Sequence, residues 1–154
     1  MDAAAYRRVV GHFATGVAVV TADTRDGPAG FTCQTFGSLS LEPLLITFSA
    51  HVGGRSWPRV RDVGVVGVSI LAEGQDDVAK VFATSGADKF AAVAWSPGPA
   101  GSPLLDGALA HLEARILGVT THGDHDQVVA TVEHAASHPG RPLLYYRGGY
   151  AGVA

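Results

Sequence analysis

Short hydrogen-bonding side chains are concentrated in one stretch, Gly30–Pro43, which reads GFTCQTFGSLSLEP. In an extended chain, alternate residues face opposite sides. One face would be mostly apolar, and the other would carry a row of hydroxyl and amide groups around one aromatic ring: Thr32, Gln34, Phe36, Ser38 and Ser40. Such a row could hold a flat polar heterocycle by its edge. An edge strand with a solvated face is the alternative interpretation.

Hydrophobic runs on both sides of this stretch predict the elements that position it. Apolar and β-rich runs predict strands at Val17–Ala22, Leu44–Ala50, Val63–Leu71, Ala108–Leu117, Val128–Val132 and Leu143–Tyr146. The pair Asp26-Gly27 is a hairpin signal. The run Ala108–Leu117 alternates, which predicts Ala110, Leu112, Ala114 and Ile116 inside the protein and His111, Glu113 and Arg115 outside.

Three helices are predicted before and between these strands. Ala3–Thr15 carries an apolar stripe, and Gly16 would end it. Gln75–Thr84 is the second helix, followed by a loop over Ser85–Phe90. Ser56 could cap a short third helix with Pro58 in its first turn, and a helix N-terminus beside Arg55 is a potential anion site. A helix, a meander of strands and short helical inserts indicate a mainly β fold with α decorations.

Composition limits the class of protein. The 154 residues suit one domain with a real core, spanning 1–154. A net charge of −3 without a basic run argues against nucleic-acid binding. A single cysteine, Cys33, excludes an internal disulfide and fits a reducing compartment. The start of the chain lacks a signal-peptide core, and no apolar run is long enough to span a bilayer. We therefore expect a cytoplasmic protein without membrane contact.

Other chemistries find little support in the sequence. The run His122–Asp126, HGDHD, contains possible metal ligands, but a hairpin loop would hold adjacent side chains apart, so we expect no metal. There is no Gly-x-Ser-x-Gly elbow for a hydrolase. There is also no Gly-x-Gly-x-x-Gly fingerprint and no P-loop, so any nicotinamide cofactor would bind without a Rossmann domain.

Several short motifs, in this order along the chain, resemble the flavin reductase-like family of FMN-binding split barrels. The most specific is the pattern of Thr32, Gln34, Thr35, Phe36, Ser38, Ser40, Leu41 and Pro43. The others are FATGVAVVT at Phe13–Thr21, GRSW at Gly54–Trp57, DKF at Asp88–Phe90, SPLLDGALA at Ser102–Ala110, GDH at Gly123–His125 and PLLYYRGGY at Pro142–Tyr150. The resemblance covers nearly the whole chain.

The resemblance implies a Greek-key split β-barrel of about six strands, acting as a homodimer with flavin at the subunit interface. It also implies an NAD(P)H:flavin oxidoreductase, with FMN or FAD as flavin and NADH or NADPH as hydride donor. Reduced flavin would then leave for a partner monooxygenase. Dimerisation is further expected if Trp57 and Phe36 are exposed on a small barrel.

The same resemblance, together with the hydroxyl row and the potential anion site, implies a set of site residues. The flavin would contact Thr32, Cys33, Gln34, Thr35, Ser38, Ser40, Ala50, Gly54, Arg55, Ser56, Phe90 and Tyr146. His125 would lie over the flavin face and help to seat the nicotinamide. Three alternatives stay open: a pyridoxamine-phosphate oxidase on the same fold, a non-catalytic flavin-binding or sensor protein, and a structural barrel without cofactor.

Overall fold

The computed structural model describes residues 1–86 and 88–154, so Ala87, within the predicted loop Ser85–Phe90, lies outside the described residues. Helices are α1 (Ala3–Val10), α2 (Ser56–Val63) and α3 (Asp76–Ala83), with a 3-10 helix at Lys89–Ala92. Strands are β1 (Thr15–Gly16), β2 (Ala18–Thr24), β3 (Gly27–Cys33), β4 (Gly37–Leu41), β5 (Leu44–His51), β6 (Val65–Ile70), β7 (Trp95–Pro97), β8 (Pro103–Leu105), β9 (Ala110–His122), β10 (His125–Ser137), β11 (Leu144–Tyr146) and β12 (Gly149–Ala151).

Seven strands form one antiparallel sheet in the order β3-β2-β6-β9-β10-β5-β4. Strand β10 is central to the site because it pairs with β9 on one side and with β5 on the other, where Val128 lies opposite Phe48 and His125 opposite His51. Two small sheets, β1-β11-β12 and β7-β8, lie beside the main one. The mainly β architecture with α decorations predicted from the sequence is confirmed.

The main sheet curls around an aromatic cluster. The ring of Phe31 in β3 lies 6.3 Å from that of Phe48 in β5, although these strands are far apart in the sheet order. The Trp57 ring, from α2, lies edge-on to both at 6.1 and 5.9 Å. Phe48 and Trp57 are almost fully buried. This interior is the core of the split barrel that the resemblance implied, with seven strands instead of six.

A second core lies between the opposite face of β2 and the helical insert. It contains Phe82 of α3 and Phe90 of the 3-10 helix, whose rings meet edge-to-face at 5.0 Å. Val17, Val19 and Leu71 complete it from the strands and their ends. This packing fixes the helical insert, which consists of α3 and the 3-10 helix, against the barrel beside the end of β3.

Helix α1 is shorter than predicted. Asp2 caps its start by accepting a hydrogen bond from the Ala5 N–H, and it ends at Val10, where Gly11 follows, instead of at Thr15. Thr15 then pairs with Tyr145 in the small sheet, so extended pairing takes over the end of the predicted helix. The apolar stripe is exposed throughout, at Tyr6, Val9, Val10 and Phe13.

The stretch Gly30–Pro43 is two strands and not one continuous row. Strand β3 ends at Cys33, the chain turns over residues 34–36, and β4 begins at Gly37 as the edge strand. A register shift between Ser38 and Ser40 further breaks the alternation. The polar face predicted for an unbroken strand therefore does not form, because the turn sends its two halves to opposite edges of the sheet.

Glu113 is the one clear error in the alternation predicted for β9. Its side chain is almost fully buried instead of facing outward. The carboxylate accepts hydrogen bonds from the backbone N–H groups of Ala100 and Ser102, each at 2.9 Å. Because the loop over 98–102 folds onto this strand, Glu113 is covered and its buried charge is hydrogen-bonded.

Other boundaries differ by a few residues. The strand predicted from Val63 begins at Val65, because Gly64 adopts a positive φ of 82° and ends α2. Strands β9 and β10 extend well beyond the predicted runs, and β1, β7, β8 and β12 were not predicted. The 3-10 helix begins within the segment predicted as a loop. The hairpin at Asp26-Gly27 is confirmed. Among the described residues, no helix is both long and apolar enough to cross a membrane.

Candidate functional site

A concave site of about 450 Å³, the main cleft, opens where the end of β3, strand β5, the start of α2 and the end of α3 meet. Nine of the predicted site residues line it: Thr32, Cys33, Gln34, Thr35, Ala50, Gly54, Arg55, Ser56 and His125. These residues come from four separate segments of the sequence. The fold thus brings together most of the residues that the sequence motifs singled out.

The four other predicted residues lie outside the main cleft. Ser38 and Ser40 follow the turn into edge strand β4, and the Ser40 hydroxyl accepts a hydrogen bond from the Glu42 N–H. Phe90 is buried against Phe82 and Trp95, behind the cleft wall. Tyr146 lies on β11 in the separate three-stranded sheet. Within this chain, these four side chains do not line the cleft.

The threonine hydroxyls of the cleft wall are already hydrogen-bonded to the backbone. Thr32 Oγ1 donates to the Ala79 carbonyl oxygen of α3 at 2.6 Å. Thr35 Oγ1 accepts from the Ser49 N–H at 2.8 Å and lies 3.2 Å from the Ser49 carbonyl oxygen, to which it donates. The hydroxyls therefore tie the end of β3 to α3 and to β5. These hydrogen bonds fix the shape of the cleft wall.

Cys33 is a buried packing residue of this wall. Its thiol lies 3.2 Å from the Thr35 hydroxyl and is almost fully covered. Burial raises the pKa of the Cys33 thiol above its ordinary value of 9.0, because the thiolate would lose its hydration. A thiol that stays protonated at neutral pH is a poor nucleophile. Cys33 therefore contributes shape and not reactivity.

Lys89 places a positive charge in the cleft lining, beside β3 and the end of α3. Its Nζ donates to the carbonyl oxygens of Gly30 and Phe82, each at 3.0 Å, and to Ser56 Oγ at 3.3 Å. No carboxylate of the described residues forms an ion pair with it. Partial burial lowers the pKa of Lys89 below the ordinary 10.5. An ammonium group without a carboxylate partner attracts an anion into this end of the cleft.

The start of α2 differs from the prediction in one detail. Ser56 is the first helical residue and not the cap, and its hydroxyl accepts the hydrogen bond from Lys89 instead of bonding a helix N–H. Arg55, the residue before the helix, is exposed and lines the cleft. Arg55 and Lys89 together make this end of the cleft cationic.

His125 lines the main cleft beside His51, and the Asp124 carboxylate lies close to both imidazole rings. Its Nδ1 is 2.8 Å from Asp124 Oδ1, and its ring meets that of His51 edge-on at 5.3 Å. His51 Nδ1 accepts a hydrogen bond from the Gly53 N–H, and its Nε2 lies 3.9 Å from Asp124 Oδ2. The His125 contact lowers the pKa of the Asp124 carboxyl, so Asp124 stays ionised and orients His125.

A buried anchor holds α2 against the barrel. Asp126 accepts hydrogen bonds from Thr121 Oγ1 at 2.6 Å and from Trp57 Nε1 at 2.8 Å, and Arg61 lies 3.7 Å away. These hydrogen bonds lower the pKa of Asp126, so it is ionised at neutral pH. Within residues 1–86 and 88–154, no group of three His, Cys, Asp or Glu side chains is arranged to hold a metal ion.

Nine further residues of the main cleft were not among the individually named site residues, although His51 lies within the predicted contact range Ala50–Ser56: Phe31, Ser49, His51, Trp57, Phe82, Ala83, Ser85, Gly86 and Lys89. The DKF motif contained Lys89 and could have pointed to it. The register of β5 against β10 brings His51 beside His125, a signal that appears only once the strands are paired. Phe82, Ala83, Ser85 and Gly86 enter through the packing of the helical insert, which no local pattern encodes.

The main cleft combines an apolar floor, a polar backbone-rich wall and a cationic end. Phe31 and Trp57 supply the apolar part, the segment Thr32–Thr35 the polar wall, and Lys89 with Arg55 the positive charge. A flat heteroaromatic ring that carries a phosphate fits these features, because the ring can pack on the apolar surface while the anion meets the cations. FMN and FAD are ligands of this kind.

The chain is similar to known proteins of one family. The family model described as flavin reductase like domain matches residues 10–154. The chain is 40% identical to the reductase subunit HsaB of a flavin-dependent monooxygenase from Mycobacterium tuberculosis, over 99% of this chain and 83% of that protein. It is similar in structure to nitrilotriacetate monooxygenase component B from Mycobacterium thermoresistibile, with a TM-score of 0.94 and 40% identity over 98% of this chain and 86% of the other.

A second similar structure was solved with cofactor fragments bound. It is the NADH:FAD oxidoreductase SgcE6 from Streptomyces globisporus in complex with NAD and FAD fragments. The TM-score is 0.94 and the identity 35%, over 99% of this chain and 93% of that one. With a family match across nearly its whole length and relatives at this identity, the chain belongs to the flavin reductase-like family.

Proposed function

We propose that this protein is an NAD(P)H:flavin oxidoreductase that reduces FMN or FAD and supplies the reduced flavin to a separate monooxygenase. The observation that carries the proposal is the main cleft, where the Lys89 ammonium lies at one end of an apolar and polar pocket and forms no ion pair with a carboxylate of the described residues. Relatives named as reductase components of monooxygenases support the same activity.

The residues of the cleft divide the task of holding a flavin. Lys89 and Arg55 would bind the phosphate, and the Thr32–Thr35 segment with Ala50 would face the ring. When bound, a flavin supplies the hydride-accepting chemistry, and the protein supplies placement. The hydrogen bonds from Thr32 to α3 and from Thr35 to β5 keep that wall rigid, which preorganises the cleft.

His125 is proposed to seat the nicotinamide of NADH or NADPH. Its Nδ1 is held by Asp124, so Nε2 is the nitrogen left for a hydrogen bond to the second substrate. The neighbouring His51 ring limits how far the His125 ring can rotate. The role is positional, because hydride transfer between two cofactors needs no protein acid or base.

We further propose a homodimer. The sequence argument relied on exposed Trp57 and Phe36. That premise is wrong for Trp57, which lies in α2 and is buried in the barrel core, and Phe36 is half-buried against the same core. A different observation supports the proposal. Large apolar side chains are exposed on α1 and on edge strand β4, among them Val9 at 65% and Leu41 at 82%. Apolar surface of this extent is typical of an interface.

The partner would receive reduced flavin by diffusion, as the relatives named as reductase components of monooxygenases suggest.

A reducing cytoplasm is the proposed location, since the only cysteine, Cys33, is a free thiol.

The experiment follows NADH oxidation by purified protein through the loss of its near-ultraviolet absorbance, with and without added FMN or FAD. The proposal expects oxidation that depends on added flavin. Tightly bound yellow flavin without turnover would instead support the carrier or sensor, and oxidation of pyridoxamine phosphate would support the oxidase on the same fold. A colourless and inert protein would support the alternative of a structural barrel without cofactor.

A further inference from the structure

A second concave site, the outer cleft, adjoins the main cleft and has a volume of about 540 Å³. The two clefts share Arg55, Ser56, Gly86 and Lys89 in their lining. The outer cleft includes neither the Thr32–Thr35 wall nor His125. It therefore continues from the cationic end of the main cleft, away from the proposed nicotinamide seat.

The lining of the outer cleft is apolar at its floor and charged at its rim. Pro28, Ala29 and the buried Phe90 form the apolar part. Arg59, Asp26 and Asp88 supply the charges. An apolar surface bordered by charged groups suits a nucleoside, whose base can pack on the floor while its polar edges reach the rim.

Arg59 retains hydrogen-bonding capacity toward this cleft. Its Nη2 lies 3.1 Å from Thr24 Oγ1 and 3.4 Å from the Gly27 carbonyl oxygen, both in the β2–β3 hairpin. These contacts use one nitrogen of the guanidinium and fix the side chain beside the cleft. No carboxylate of the described residues pairs with it. The other nitrogens of the fork remain for an anion or a base.

We propose that the outer cleft binds the adenosine 5′-phosphate half of FAD, so that FAD is preferred over FMN, with Arg59 as the residue that sets this preference. This inference rests on the proposed function. The order of groups along the two clefts matches FAD, because Lys89 and Arg55, shared by both, would meet the two phosphates that join its halves.

The carboxylates of the rim are consistent with a nucleoside. Asp88 Oδ1 accepts a hydrogen bond from the Ala91 N–H and caps the 3-10 helix, so that oxygen is already used. Asp26 is exposed in the hairpin turn. A ribose hydroxyl and the adenine amino group can each donate a hydrogen bond to a carboxylate. The lining contains three cationic side chains, Arg55, Arg59 and Lys89, and two carboxylates. Its net charge is therefore positive, which favours binding of a phosphate.

NADH also carries an adenosine 5′-phosphate group, and the experiment must separate the two sources. The test measures Kd by calorimetry for FAD and FMN, without nicotinamide, on wild type, Arg59→Gln and Arg25→Gln. Arg25 is exposed in the same hairpin turn but lines neither cleft, so it is the matched control for loss of a nearby charge. The KM for NADH is measured in parallel with FMN as the flavin.

We expect wild type to bind FAD about tenfold more tightly than FMN, which is the usual effect of one added charge-assisted contact. Arg59→Gln should remove most of this preference by weakening FAD alone, and Arg25→Gln should leave it intact. The KM for NADH should not change in Arg59→Gln. Because the wild-type preference needs no variant, the proposal stays testable even if Arg59→Gln fails to fold.

Two results would overturn the proposal. Equal or tighter binding of FMN by wild type would show that the outer cleft gives no affinity for the adenosine half of FAD. A higher KM for NADH in Arg59→Gln with unchanged FAD affinity would assign the cleft to the nicotinamide cofactor. Either result leaves flavin-dependent NADH oxidation intact, whereas failure to bind any flavin would contradict the proposed function itself.

Discussion

Lys89 carries the charge on which both proposed ligand contacts depend. Its ammonium is half-buried, and its hydrogen bonds go to two carbonyl oxygens and the Ser56 hydroxyl. These three acceptors are neutral, so they leave the charge of Lys89 uncompensated. The ammonium therefore raises the positive potential in both clefts, and partial burial weakens its screening by solvent.

The lowered pKa of Lys89 makes phosphate binding sensitive to alkaline pH. Because burial places the pKa below 10.5, Lys89 loses its charge at a lower pH than an ordinary lysine. FMN affinity should therefore fall as the pH rises through that value. Riboflavin, which has the same ring and no phosphate, should show a smaller fall. Fluorescence titration of both flavins across the alkaline range measures the difference.

Lys89→Met is the control for this pH dependence. It should weaken FMN binding by about tenfold, as expected for one lost charge-assisted contact, and should make the FMN and riboflavin profiles parallel. Parallel profiles already in the wild-type protein would mean that the phosphate is bound elsewhere.

His125→Ala should raise the KM for NADH about threefold to tenfold, the usual range for one lost hydrogen bond or stacking contact at a partly exposed site. Flavin affinity should barely change, because the proposed role of His125 concerns the second substrate. Steady-state kinetics and flavin titration of the same preparation measure both quantities. A sharp fall in kcat with loss of a limb of the pH profile would instead make His125 a general acid.

Equal losses of flavin and nicotinamide binding would have another meaning. Asp124, which orients His125, also accepts through its carbonyl oxygen from the Val52 N–H of the next loop. An equal loss in His125→Ala would therefore show that this hairpin only maintains the shape of the main cleft.

At the scale of elements, helix α2 is positioned by its anchor to the sheet. The helix carries Ser56 at its first residue and follows Arg55, so its placement sets one wall of both clefts. The Trp57–Asp126 hydrogen bond ties that first turn to β10, the strand that begins at His125. One buried carboxylate thus links the flavin wall to the proposed nicotinamide seat.

The Asp126 anchor predicts a specific stability profile in acid. Its pKa is lowered below 3.8 in the folded protein, so ionised Asp126 stabilises the fold at neutral pH. This contribution should fall as the pH falls below 3.8 toward the folded pKa. Thermal unfolding should show Asp126→Asn less stable than wild type near neutrality, and the difference should shrink in acid. A difference that is constant with pH would contradict the anchor.

The elements predicted correctly from the sequence are those whose secondary structure follows from the pattern of their own residues. Strand β9 and helix α3 were predicted as the correct type of element, because the pattern of each is repeated over several residues. Helix α1 was predicted too long because the periodicity of Tyr6, Val9, Val10 and Phe13 continues beyond Gly11, where pairing of β1 with β11 takes over. Local periodicity does not report such a distant strand.

The candidate site was predicted in part for the same reason. Motif residues at the end of β3 and the start of α2 line the main cleft. Ser38 and Ser40 do not, because the chain turns over residues 34–36 and places them on β4, and the alternation did not indicate that turn. Glu113 was placed outside because a charged residue in an alternating strand is usually solvated. Its burial depends on the loop over 98–102, which the pattern within β9 does not include.

For the whole molecule, the exposed apolar surface predicts a homodimer. No residue of α1 is buried within the chain, and Phe13, just beyond it, is 80% exposed. An eight-residue helix is marginal in water without packing. Sedimentation at micromolar concentration should therefore give twice the mass of the chain, and charged substitutions at Val9 and Phe13 should shift the protein toward monomer. A monomer in wild type would contradict this prediction.

The central claim is that the main cleft holds the flavin, and a crystal structure of the protein soaked with FAD tests it most directly. The isoalloxazine ring should lie against Thr32–Thr35 and Ala50, with a phosphate oxygen within hydrogen-bonding distance of Arg55 or Lys89. A ring bound at any other surface of the protein, with the main cleft empty, would contradict the claim.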